Sequence, residues 1–161
     1  MTERILIPLD GSTLGEAAID NVNELVSKFS PNETVEIILL HVIRDRHSVH
    51  LRGGVGMMSV PYNDDEIDAI KEKAGVYLHS ISERFQGLPQ VTVTCMVSAS
   101  EKPVDEILKT KIHVNADMIA MSTHGRGGFS RFNIGSVADR VMRASSIPVM
   151  MVRAQEIQEN D

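Results

Sequence analysis

Five short apolar runs alternate with helix-patterned segments along the chain, and this alternation limits the fold more than any other feature. The runs cover residues 4–9, 35–43, 91–97, 118–121 and 148–152. The helical segments cover residues 13–30 and 64–85, a stretch opening at Pro103, and 136–145. Several runs are apolar at consecutive positions, so both faces of those strands must be covered. Helical crossovers on the two sides of a mostly parallel sheet provide that cover. The expectation is one doubly wound α/β domain over residues 1–161, a five-stranded parallel sheet with helices on both faces. In such folds ligands bind beyond the carboxyl ends of the strands, where the strand order reverses.

Local signals fill in the elements. Thr13-Leu-Gly-Glu16 reads as a capping box opening the first helix. Ile67, Ile70, Ala74, Tyr77, Leu78 and Ile81 recur at helical spacing, and Pro103 suits a first helical turn carrying Val104, Ile107 and Leu108 on one side. Asp64, Asp65, Glu66 and Asp68 complement the positive end of a helix dipole, which explains them without a metal. The segment 44–63, with Gly53, Gly54, Gly56, Met57, Met58 and Pro61, reads as a mobile loop rather than an element.

Composition excludes several classes. At 161 residues and 42% hydrophobic the chain can bury a core. No apolar run approaches the ~20 residues that span a bilayer, and the first residues lack the basic and apolar regions of a leader peptide. A cytoplasmic protein without a membrane partner is expected. A net charge of −6 argues against nucleic acid as partner, since duplex binding needs a basic face. Cys95 is the one cysteine, so no intrachain disulfide or cysteine metal cluster can form, and its alternating context reads as a buried small hydrophobe. His47 and His50 are flanked by Arg44, Arg46 and Arg52, which repel a cation; no metal site is expected. His41 reads as a core or strand-end histidine.

The stretch from Met121 to Ser136 carries the chemistry. Gly125, Gly127, Gly128 and Gly135 let backbone N–H groups approach an anion, and Ser136 opens a helix whose first N–H groups favour negative charge. His124 either contacts phosphate or packs. Residues 122–153 hold Arg126, Arg131, Arg140, Arg143 and Arg153 against Asp139 alone, a local basic excess that suits a small anion, with Arg140 and Arg143 read as solvated helix residues. No Walker lysine stands between Ser122 and Ser136, and the glycine spacing does not fit the dinucleotide fingerprint. Asp10, after the first strand, is either a turn residue or a ligand carboxylate.

Ile5-Leu-Ile-Pro-Leu-Asp-Gly-Ser12, Ile38-Leu-Leu-His-Val42, the loop from Met121 to Ser136 and Ile147-Pro-Val149, in this order, resemble the universal stress protein family over nearly the whole chain. The resemblance implies the strand order 3-2-1-4-5, which sets the first and fourth strands side by side. It implies an ATP-binding subclass, whose frame of Gly, two residues, Gly, nine residues and Gly-Ser falls on Ser122, Gly125, Gly135 and Ser136. Ser122 replaces the usual first glycine, and Glu101 stands where relatives have glycine. On the same resemblance Asp10 binds ribose, the Val42 backbone meets adenine, and Pro8 and Leu9 shape the nucleoside wall. Gly125, Arg126, Gly127 and Gly128, with Gly135, Ser136 and Val137, cradle the phosphates, and Met121, Ser122 and His124 complete the nucleotide-binding set.

The implied ligand is ATP, or AMP or ADP, with Mg2+ or Mn2+ held through the phosphates alone. The implied role is a regulatory or sensory homodimer, paired through the edge strand Pro148-Val-Met-Met-Val152. The alternative is a nucleotide-free stress protein acting through protein contacts, its site spoiled by Ser122. No paired carboxylates or activated nucleophile accompany the loop, so at most slow ATP hydrolysis is expected. A phosphotransferase with Asp10 as nucleophile is weak, because no second aspartate follows two residues on.

Overall fold

Strand β1 (Thr2–Leu9) sits at the centre of a five-stranded parallel sheet. The chain continues through α1 (Ala17–Ser27), β2 (Thr34–Ile43), the short strands β3 (Arg46–His50) and β4 (Met57–Pro61), α2 (Asp64–Ser82) and a 3-10 turn at Glu83–Phe85. It ends with β5 (Val91–Ala99), α3 (Pro103–His113), β6 (Met118–Ser122), α4 (Ser136–Ala144) and β7 (Val149–Val152). The computed structural model describes residues 2–30, 32–50, 57–123 and 134–153, with the backbone alone for 47–50. The sheet order is β5-β2-β1-β6-β7, which is the expected 3-2-1-4-5 once the strands of the small hairpin are left out of the numbering.

Side-chain alternation on the inner strands builds two cores. Ile5, Ile7 and Leu9 of β1 and Val35, Ile37 and Leu39 of β2 pack with Ala18, Ile19, Val22 and Val26 of α1 and with Leu78 and Ile81 of α2. Leu6, Ile38 and Leu40 point the other way, against Val104 and Ile107 of α3 and Ala138 and Val141 of α4. The period-two alternation of a strand turns successive residues to opposite faces, so an unbroken apolar run supplies both cores at once.

Three local expectations are corrected. The first helix begins at Ala17 rather than Thr13, and no side-chain cap bond forms at its start. Ser12 performs the stop instead: its Oγ accepts from the Gly15 N–H at 3.0 Å, and its carbonyl accepts from Glu16. The segment 44–63 is not simply a loop, because β3 and β4 pair antiparallel from Arg46–Pro61 to His50–Met57; residues 51–56 lie outside the described residues. Arg46 anchors this hairpin, donating to the Ser59 carbonyl at 3.1 Å and pairing with Glu101 at 3.0 Å. Glu101 therefore does more than occupy a turn.

The third correction is Cys95, which is exposed because β5 is the outermost strand. Its partial burial still raises the thiol pKa, which opposes reactivity.

The capping box that does form belongs to α2. Asn63 accepts from the Glu66 N–H at 2.9 Å, and Glu66 accepts from the Asn63 N–H at 2.9 Å. Asn63→Ala should therefore cost about 1 kcal/mol, whereas Thr13→Ala, despite its better sequence signature, should change stability by no more than ~0.5 kcal/mol. Urea unfolding of the two variants beside the parent checks the contrast.

Candidate nucleotide cleft

The sheet opens where its connections change direction. Strand β1 pairs with β2 from Thr2–Thr34 through to Leu9–His41, but its ladder with β6 covers only Ile5–Met118 and Leu6–Ile119. Pro8 has no N–H to offer either neighbour. Beyond this parting lies a cleft of about 860 Å³ at the carboxyl ends of the strands. That volume is within the range of small-molecule sites.

Asp10 stands at the cleft on a tight turn. Gly11 adopts φ +77, a conformation that favours glycine. Ser12 then donates to Asp10 Oδ1 twice, from its N–H at 3.0 Å and its hydroxyl at 2.6 Å. Gly15 comes in from below so closely that a Cβ there would collide with Asp10 Oδ1. The pose of the carboxylate is thus set by two residues that the motif reading did not single out, Ser12 and Gly15. Their spacing to Asp10 is local, so the signal was available as a turn that only a glycine at position 15 leaves uncrowded.

Pro8, Leu9, Asp10, Val42, Met121, Ser122, Gly135, Ser136 and Val137 all line this cleft. His124, Gly125, Arg126, Gly127 and Gly128 lie outside the described residues. Gly135 is the N-cap of α4 and makes no side-chain cap bond. Its φ of −57 asks for no special freedom; the demand on it is space. Its N–H donates to the Thr123 carbonyl at 2.6 Å, and a Cβ would come within 3.2 Å of that oxygen. The first turn of α4 therefore opens on the cleft with its dipole and N–H groups. Ser122 belongs to β6 and pairs with Val152. Asn115 alone among the described non-glycine residues has positive φ, so the backbone at position 122 does not require glycine.

The wall toward α2 carries a polar network that sequence periodicity had assigned to plain core. The His41 and Tyr77 rings meet edge to face, with centroids 5.9 Å apart at 74°. The Tyr77 hydroxyl donates to Glu16 at 3.1 Å, and Arg84 ties Glu16 at 3.3 Å and also pairs with Asp20. Nothing in the one-dimensional pattern marks this, because it joins residues 16, 41, 77 and 84 across three elements.

A model of the universal stress protein family matches residues 1–153. The chain belongs to that family. It is 28% identical over 161 residues to the universal stress protein MJ0577 of Methanocaldococcus jannaschii, covering 95% of this chain and 96% of the relative. It is 26% identical to the universal stress protein YxiE of Bacillus subtilis, covering 95% and 100%. A Mycobacterium tuberculosis relative, Rv2005c, is 26% identical but is longer, and the match spans 92% of this chain and 45% of that protein.

Among solved structures, that of MJ0577 superposes with a TM-score of 0.70 at 24% identity, covering 96% and 97% of the two chains. A universal stress protein in complex with cAMP gives 0.59 at 16%, covering 95% and 98%. The Archaeoglobus fulgidus protein in complex with dAMP gives 0.57 at 19%, covering 94% and 98%. These likenesses establish that the five-stranded α/β architecture is that of universal stress proteins.

Burial, and then the Glu16 carboxylate, push the Tyr77 phenol well above its ordinary value of 10.0. The folded state holds that proton more tightly than the unfolded chain. The associated stability is complete below about pH 10 and is lost as pH rises through the folded value. In a Tyr62→Phe background, Tyr77 should show no phenolate absorbance as pH passes through 10, and adding Glu16→Gln should bring its titration part of the way back. Spectrophotometric titration near 295 nm checks both steps.

Proposed function

We propose that this universal stress protein binds an adenine nucleotide, ATP in the first instance, and acts in the cytoplasm as a regulatory or sensory homodimer. The observation that carries the reading is a convergence on one cleft: the Asp10 carboxylate, the end of β2 at Val42 and the open N-terminus of α4 at Gly135–Val137 all line it. A carboxylate accepts from ribose hydroxyls, the end of a strand offers backbone groups to a purine, and a helix N-terminus favours phosphate. Pro8, Leu9 and Met121 supply apolar wall. Gly125 to Gly128, with His124 and Arg126, would complete the phosphate cradle from outside the described residues. Mg2+ or Mn2+ would enter with the phosphates, and the role proposed is binding, with at most slow turnover. The two structural neighbours holding cAMP and dAMP lend support at the level of the fold.

Calorimetric titration with ATP and Mg2+ tests the reading. Asp10→Ala should lose about ten- to a hundredfold in affinity through a missing charged acceptor. Gly135→Val should lose at least as much, because the side chain meets the Thr123 carbonyl at the mouth of the helix. Ser122→Gly should stay within about twofold of the parent, since the position is ordinary strand. Parent protein that takes up no nucleotide would favour the nucleotide-free alternative instead.

The dimer rests on β7, which closes the sheet order and whose outer edge has no strand partner among the described residues. Antiparallel pairing with a second copy would satisfy that edge. The bonds of Pro148 and Val152 to β6 turn the Met151 N–H to the outer edge, so Met151→Pro removes a donor from that edge and should shift the protein toward monomer in sedimentation equilibrium. A parent already monomeric at micromolar concentration would rule out the pairing.

A further inference from the structure

The cleft extends past the residues given above to adenosine and its 5′-phosphates. On α2, Ile70, Lys73, Ala74 and Tyr77 follow the spacing of one helix face, and all four line the cleft. Lysine is the exception in that stripe. The chain leaving β2 adds Arg44, two residues past Val42, and the chain leaving β4 adds Tyr62.

Arg44 and Lys73 differ from most cations around them. Arg46 is held by Glu101, Arg84 by Glu16 and Asp20, and Lys71 approaches Asp68. Among the described residues Arg44 and Lys73 meet no carboxylate. The acids near them are engaged elsewhere: Glu101 by Arg46, Glu16 by Tyr77 and Arg84, Asp10 by Ser12. Asp45 turns one carboxylate oxygen inward, where no donor meets it. Asp10 and Tyr77 line the same cleft, and Lys73 is one helical turn before Tyr77 on the same face.

We infer that this end of the cleft binds a second phosphate, carried on the ribose of the nucleotide at its 2′ or 3′ oxygen, with Lys73 and Arg44 as counter-charges. The inference rests on the nucleotide reading above. One ribose hydroxyl remains to donate to Asp10, while the esterified oxygen carries its phosphate toward α2. Such a group brings roughly −1.5 to −2 charges at neutral pH. It is met by a forked guanidinium and a compact ammonium on a chain whose net charge is −6. An adenine nucleotide with phosphate at both ends of its ribose is the ligand class that uses both cationic ends of the cleft.

Calorimetry with AMP, adenosine 2′,5′-bisphosphate and adenosine 3′,5′-bisphosphate, which share base and 5′-phosphate, tests the inference. One bisphosphate should bind roughly tenfold tighter than AMP, and which one does so identifies the ribose oxygen. In Lys73→Gln combined with Arg44→Gln the ratio of bisphosphate to AMP affinity should fall toward one. In the parent that ratio should shrink as salt is raised. Equal affinity for AMP and both bisphosphates, or a ratio unchanged in the double variant, would overturn the inference and leave the nucleotide reading standing. Failure of AMP, ATP and both bisphosphates to bind would overturn both.

Discussion

Strand β1 is paired along its length on one side and for only two residues on the other, and the rest of the molecule is organised around that asymmetry. A central strand buried on both faces must be flanked by neighbours, yet β2 and β6 continue into crossovers on opposite faces of the sheet. The ladder between β1 and β6 ends at Leu6 and Ile119, and Leu9 and Met121 both line the cleft beyond it. Pro8, which has no N–H to donate, falls at that point, so a residue that would be a defect elsewhere in a central strand is tolerated here. The cleft is thus a product of topology, and the side chains that line it are those that happen to end strands and begin helices.

Its electrostatic character comes from how polar groups are held at that edge. On one side an acidic turn fixes Asp10 through Ser12, with Gly15 leaving room beneath it. On the other, α4 begins at Gly135 without a side-chain cap, so its positive end faces the same space. A carboxylate and a helix N-terminus across one cleft suit a ligand that presents hydroxyl donors at one place and anionic oxygens at another. The α2 wall adds a third condition, because Tyr77 is kept protonated by burial and by Glu16 and so presents a neutral ring against His41.

The fold was legible because it depends on periodicity, which is a property of neighbouring residues. Ile5 to Leu9 and Val35 to Ile43 read as strands from their apolar runs, and Ile70, Ala74, Tyr77 and Leu78 read as a helix face. Asp10 and the Gly135-Ser136 pair could be nominated from their places beside element ends, whereas Val42 was named only through the resemblance to universal stress proteins. The capping signal at Thr13 was misleading: Ser12, already bound to Asp10, took over the stop, and the competing bond decided which hydroxyl acted. Glycines and methionines in 44–63 argued for a loop, but pairing between Arg46–His50 and Met57–Pro61 outweighed propensity, as tertiary context does for short strands. Cys95 followed the pattern of a buried residue and is exposed because alternation cannot say which strand lies at the edge.

The amino-acid order by itself determined the elements, their sequence, the two-faced burial of β1 and β2, and the family to which these motifs belong, because each of these is encoded in local spacing. Tertiary structure alone decided that β1 and β6 separate after Leu6, that Tyr77 meets Glu16 and His41, and that Lys73 and Arg44 share a cleft with Gly135. Those relations join residues far apart in the chain, and only the packing of both helical layers onto a single twisted sheet brings them within reach.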